Sequence, residues 1–141
     1  MVVFLSFTQF IANMRSFSFL TTSQYLNVIR IAVGLMLMAH GGIRIYAGTV
    51  GGFGEFLNAQ GFMIGGLIAW GITLFELIGG ALLGLGFFRK IICAVFVTIL
   101  IVGILLVHIN NGWFVVGYNT GGAEYSVLLI ICLLLIASTE E

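Results

Sequence analysis

The sequence predicts an all-α membrane protein, a bundle of four transmembrane helices preceded by an amphipathic helix that lies in the membrane interface. Three observations predict it. Of 141 residues, 61% are hydrophobic and 7% charged, and the mean hydropathy is +1.23, far outside the range of soluble domains. The apolar runs are near-continuous and helix-length, whereas barrel strands would need alternating segments of about ten residues. Proline is absent and there are 20 glycines, which suits unkinked helices packed backbone to backbone in lipid.

The elements follow in order. Residues 1–24 carry no basic start and no small-residue cleavage site, so they do not read as a signal peptide. Val3, Phe7, Phe10, Met14 and Phe17 recur at heptad spacing with Ser6, Gln9, Asn13 and Ser16 opposite, the pattern of an interfacial helix; an aromatic, unstructured tail is the alternative. The transmembrane domain occupies residues 25–141. Thr21, Thr22 and Ser23 offer N-cap oxygens to a first span over about 25–47. The glycine-rich stretch from Gly48 to Gly61 reads as a loop with one short interfacial turn around Glu55. A second span covers about 62–88, a third 91–108 and a fourth 122–137.

Orientation comes from Arg89-Lys90, an adjacent basic pair in the tight turn between the second and third spans. The positive-inside rule puts that turn in the cytoplasm, and both termini with it. Arg15 agrees, and Arg44 mildly opposes. Trp70, Trp113, Tyr46 and Tyr118 suit an interfacial aromatic belt. Five Lys/Arg balance five Asp/Glu, leaving no basic surplus for nucleic acid. Cys93 and Cys132 stand singly in apolar runs, without the spacing of a zinc or dithiol motif, and read as small hydrophobes.

Arg30, His40, Arg44, Glu76, His108 and Glu124 fall within or at the ends of the spans. A charged group at the centre of a membrane helix costs about 2.5–3.5 kcal/mol on insertion scales, so each needs a partner or a wet cavity. Helical rise puts Arg30 about 20 Å inward of Arg44, and Glu76 about 20 Å inward of the start of the second span. The two then share a depth, and an Arg30–Glu76 structural ion pair is expected; a snorkelling Arg30 beside a neutral Glu76 is the alternative. Gly80 and Gly84 follow Glu76 on a small-residue face, which directs the carboxylate into the bundle as a candidate proton carrier. His40 and Arg44 lie one turn apart, His108 ends the third span, and Glu124 begins the fourth, where a helix N-terminus favours an anion. Together they could frame an outward cavity that binds an anion or a polar redox-active headgroup, with His108 as a second proton carrier. A network that only sets helix register is equally compatible. Bis-imidazole haem, or a metal held by His40, His108 and Glu124, has no further sequence support, and no metal site is assigned.

Taken in order, Arg30 before Gly34, His40-Gly41-Gly42 with Arg44, Glu76-Leu77-Ile78-Gly79-Gly80 followed by Leu85-Gly86 and Arg89, His108-Ile109-Asn110-Asn111-Gly112, and Gly121-Gly122-Ala123-Glu124 resemble the DoxX family of bacterial and archaeal four-helix membrane proteins. The resemblance covers about residues 27–137. It implies a protein of the bacterial inner (plasma) membrane, similar to the small subunit of a thiosulfate:quinone oxidoreductase and linked to quinone or thiol redox systems. Its charged positions correspond to Arg30, Arg44, Glu76 and Glu124. Arg44 stands where the family commonly has Lys, and because a guanidinium does not deprotonate, any family chemistry that needs a neutral amine stays open at this position.

The chain encodes no dithiol pair, nucleotide fingerprint or iron–sulfur cysteine cluster. A redox role therefore implies quinone as the ligand and a redox partner subunit, beside the lipid bilayer itself. Two other classes stay open: a small-solute or anion transporter or binding protein, which four spans could build only as a homo-oligomer, and a membrane scaffold.

Overall fold

The computed structural model describes residues 19–117 and 120–139. Helix α1 (Thr22–Tyr46) begins at a reciprocal cap. The Thr21 hydroxyl accepts from the Gln24 amide at 3.3 Å, and the Gln24 side-chain oxygen accepts from the Thr21 amide at 2.8 Å, satisfying two donors that the start of a helix leaves open. Most of the expected interfacial helix, residues 1–18, lies outside the described residues.

Helix α2 (Val50–Ala59) stands where the sequence suggested a loop with one turn. Gly51, Gly52 and Gly54 weaken its propensity, but Val50, Gly54 and Leu57 are buried, and tertiary packing of one face outweighs propensity in a short helix. That packing is close: a Cβ on Gly54 would lie 2.8 Å from Gly66 Cα in the next helix.

Helix α3 (Gly65–Leu85) starts with the Gly65 amide donating to Asn58 Oδ1 of α2 at 2.8 Å. It stops at Gly86, whose φ of 91° permits a Schellman closure: Gly86 N–H to Leu83 O at 3.0 Å and Phe87 N–H to Leu82 O at 2.9 Å. Helix α4 (Arg89–Gly103) follows at once. It continues through a π-helical turn, Ile104–His108, in which Ile109 N–H reaches back five residues to Ile104 O, and through a 3-10 turn, Ile109–Asn111. The loop after Gly112 folds back on itself through Ala123 N–H to Gly112 O and Gly122 N–H to Phe114 O, both at 3.1 Å, and leads into α5 (Glu124–Ser138).

Three helices, Thr22–Tyr46, Gly65–Leu85 and Arg89–Asn111, are long and apolar enough to cross a membrane. α5 is equally apolar, but its 15 residues span about 22 Å against a hydrocarbon core of about 30 Å. The outside of the molecule is greasy: Leu35, Leu67, Ile78, Leu105 and Leu128 are among many large apolar side chains left exposed, as lipid rather than water requires. Tyr46, Trp70 and Trp113 are exposed near one end; Tyr118 lies outside the described residues.

α1 packs most extensively on α3, α2 also lies on α3, and α5 joins α4 to α1. Val33 and Leu37 of α1, Leu83 of α3, Phe96 of α4 and Leu133 of α5 meet in the largest buried cluster. Glycines set the approach of α1 to α3. A Cβ on Gly34 would lie 2.6 Å from Gly80 O, one on Gly80 2.8 Å from Gly34 O, and one on Gly41 2.7 Å from Thr73 O. Real side chains do not make such contacts with backbone, so any residue larger than glycine forces the helices apart. The same pairs fix the antiparallel register, Gly34 beside Gly80 and Gly41 beside Thr73.

Gly34→Ala should therefore lower stability by about 1–3 kcal/mol, the usual cost of overpacking. Gly71→Ala, where a Cβ would meet nothing within 4 Å, should leave it unchanged or raised. Thermal melts of both variants in one detergent check the contrast.

Candidate functional site

The α1–α3 register brings Gly41 against the Cβ of Glu76, and the Arg44 side chain, one turn on, lies along the same face of α3. Glu76 is 7% exposed, and its carboxylate takes a bidentate grip from Arg44: Nη1 to Oε2 at 2.5 Å and Nη2 to Oε1 at 3.3 Å. Nη1 also donates to Thr73 Oγ1 at 3.0 Å, and that hydroxyl donates in turn to Ala69 O at 2.7 Å. From α2, the Phe53 ring lies 4.7 Å from the centre of the guanidinium, within cation–π range. One guanidinium thus ties α1, α2 and α3 together.

The expected Arg30–Glu76 pair does not form; Glu76 pairs with Arg44, and Arg30 lies against Gly86 at the other end. The depth estimate set Arg44 level with Phe62, but Gly34 beside Gly80 sets it level with Trp70, roughly eight residues or about 12 Å further along. The cause is the register between the two helices, which is set by Gly34 against Gly80 and Gly41 against Thr73.

Beside the pair is a cavity of about 300 Å³, walled by α1, α2, α3, α4, the folded-back loop and α5. Its surface is mostly apolar, with Leu37, Phe56, Ile99 and Leu106 among the lining residues, and its polar groups are His40, Arg44, Glu76, His108, Tyr125 and Ser126. His108 ends the π-helical turn, and its Nδ1 lies 2.6 Å from Gly121 O. A carbonyl only accepts, so Nδ1 carries the proton, and Nε2 is left as the nitrogen available to a ligand.

Of the four expected ligand-binding residues, the structure brings His40, Arg44 and His108 to this cavity, and not Glu124. Glu124 is the first residue of α5, and its Oε1 accepts from the Val115 amide at 2.9 Å, so it fastens the loop. Tyr125 and Ser126 supply the polar groups from α5 instead. Sequence reasoning missed Thr73, Phe53, Tyr125 and Ser126. Thr73 was signalled by its place one turn before Glu76; Phe53 carried no signal, because its helix read as a loop. Among the described residues, no group of three His, Cys, Asp or Glu side chains could hold a metal ion.

The family model described as DoxX matches residues 25–109, which include Arg30, His40, Arg44, Glu76 and His108. The chain belongs to the DoxX family. No curated protein and no solved structure matches it. With its apolar spans, this DoxX-family chain is an integral, multi-pass membrane protein. Within the matched region, the wall of the cavity is complete on the α1, α3 and α4 sides; the Gly121–Ser126 contribution comes from outside it.

Breaking a buried pair from one side typically costs about 3–5 kcal/mol, because the other charge is stranded. Arg44→Gln and Glu76→Gln should each be strongly destabilising, and the double variant should recover a coupling above about 1 kcal/mol. Arg30→Gln combined with Glu76→Gln should be additive. Denaturation of the two cycles in matched detergent decides which arginine holds the carboxylate.

Proposed function

We propose that the cavity binds a quinone headgroup and that the protein is the membrane component of a redox system whose partner subunit supplies the electrons. The observation that carries this reading is the neutralised Arg44–Glu76 pair in a mostly apolar cavity flanked by two imidazoles. Because Glu76 already neutralises Arg44, the site offers no net charge to a free anion. It offers what a neutral amphiphile needs: apolar walls, and a few polar groups that fix orientation.

In this reading the roles divide. Glu76, held by two guanidinium nitrogens, orients Arg44 rather than carrying protons, and the proton carrier is His108. With Nδ1–H committed to Gly121 O, its Nε2 accepts a proton from a quinol hydroxyl, or, once protonated, donates one to a quinone carbonyl. Reduction of the quinone to the quinol takes two electrons from the partner and two protons, a relay this reading assigns to His108 and His40. The membrane setting in this reading is a four-span bundle in the bacterial plasma membrane with both termini cytoplasmic. α5 is the fourth span, and local bilayer thinning accommodates its short length.

Decylubiquinone titrated into the purified protein should bind saturably by calorimetry. His108→Ala should weaken that binding about tenfold, the worth of one good hydrogen bond in a dry site, with little change in melting temperature. Saturable binding of thiosulfate in place of the quinone would move the assignment to anion binding or transport. Binding of neither would leave a scaffold.

A further inference from the structure

Among the described residues, the buried polar or charged side chains are those of Thr73, Glu76 and Ser126. The first two are satisfied within the chain. The Thr73 hydroxyl accepts from Arg44 and donates to Ala69 O, and Glu76 holds Arg44 with both of its oxygens. Ser126 is 5% exposed and lines the main cavity, yet its hydroxyl has no hydrogen-bond partner among the described residues.

The helix does not force this. A hydroxyl in a helix commonly returns its proton to a carbonyl three or four residues back. Thr73, Thr98 and Ser138 do so, to Ala69 O, Ala94 O and Leu135 O at 2.7, 2.9 and 2.8 Å. For Ser126, the third residue of α5, the carbonyls in those positions belong to Gly122 and Ala123, and its hydroxyl bonds to neither. It faces a wall where Leu37 and Leu129, both buried, are among the neighbours. A buried hydroxyl without a partner destabilises the empty protein, and a ligand atom that accepts its proton removes that cost.

We infer that the Ser126 hydroxyl donates a hydrogen bond to one carbonyl oxygen of the quinone headgroup and so fixes which edge of the ring enters the cavity; this rests on the quinone reading above. A single donor among apolar side chains is selective, because a ligand that lacks the matching acceptor leaves the donor buried and unpaired. The carbonyls of a benzoquinone stand on opposite edges of its ring. An edge held by Ser126 leaves the other to His108, whose free nitrogen is set by the same stretch of chain: its Nδ1 bonds Gly121 O, five residues before Ser126.

Calorimetric titration of decylubiquinone into the purified full chain, with infrared difference spectra of the bound quinone, tests the inference. One carbonyl carbon of the quinone is isotopically labelled so that the two carbonyl bands separate. Ser126→Ala removes only the hydroxyl, so without ligand it should melt at the wild-type temperature or above it. It should bind decylubiquinone about fivefold more weakly, the worth of one neutral hydrogen bond, and one carbonyl band should rise in frequency while the other stays. Wild-type affinity and unmoved bands in Ser126→Ala overturn the inference and leave the quinone reading standing. A lowered melting temperature without ligand, with both bands unmoved, also overturns it, because the hydroxyl would then serve packing alone. So does a loss of affinity in Tyr125→Phe with none in Ser126→Ala, which would make the neighbouring phenol the donor. If the wild type binds no decylubiquinone, the quinone reading itself falls, and this inference with it.

Discussion

The distance between α1 and α3 governs what the rest of the molecule can do. Gly34, Gly41 and Gly80 allow the two backbones to touch, and in lipid such contact stands in for the hydrophobic drive that helices lack there. Contact at Gly41 brings Glu76 and Thr73 within reach of Arg44 from the neighbouring turn. Were the helices separated by even one methyl group, the bidentate geometry would be lost, and each charge would face an apolar interior alone. The glycines and the ion pair are therefore one device, in which close packing makes the pair possible and the pair repays the cost of placing two charges in the bundle.

That device also shapes the cavity. A pair closed on itself by two nitrogens and two oxygens, capped by Thr73 and by the Phe53 ring, leaves a polar floor with no net charge. The apolar walls above it and the single free nitrogen of His108 then decide the chemistry. A π-helical turn carries that nitrogen to its place: the extra residue in Ile104–His108 rotates the end of α4 so that His108 meets Gly121 O, where a regular helix would have turned the ring by about 100° per residue. Wide turns of this kind recur at functional sites for that reason.

How much of this was legible follows from particular residues. The apolar runs located four of the helices to within a few residues, and Thr21, one of three N-cap candidates, proved to be the cap of α1. The ionisable residues that matter were all visible as intramembrane charges, and His40, Arg44 and His108 were already grouped. The partner of Glu76 was not legible, because depth was reckoned along single helices, while the register between helices depends on which glycines touch. Nor was α2, because three glycines in ten residues mimic a loop unless the face they make room for is known. Glu124 was read by its helix position alone, and the loop amide it holds, Val115 N–H, is nine residues away in sequence and visible only once the loop folds back.

The two ends of the molecule hold their arginines by different means. At the Arg44 end the Arg44 and Glu76 charges are matched within the chain, so a ligand in that cavity would be selected by shape and hydrogen bonding rather than by charge. At the Arg30 end the chain seats its guanidinium groups by packing and a hydroxyl, Arg30 against Gly86 and Arg89 on Thr139 Oγ1, so Gly86 serves both as the stop of α3 and as the seat of Arg30.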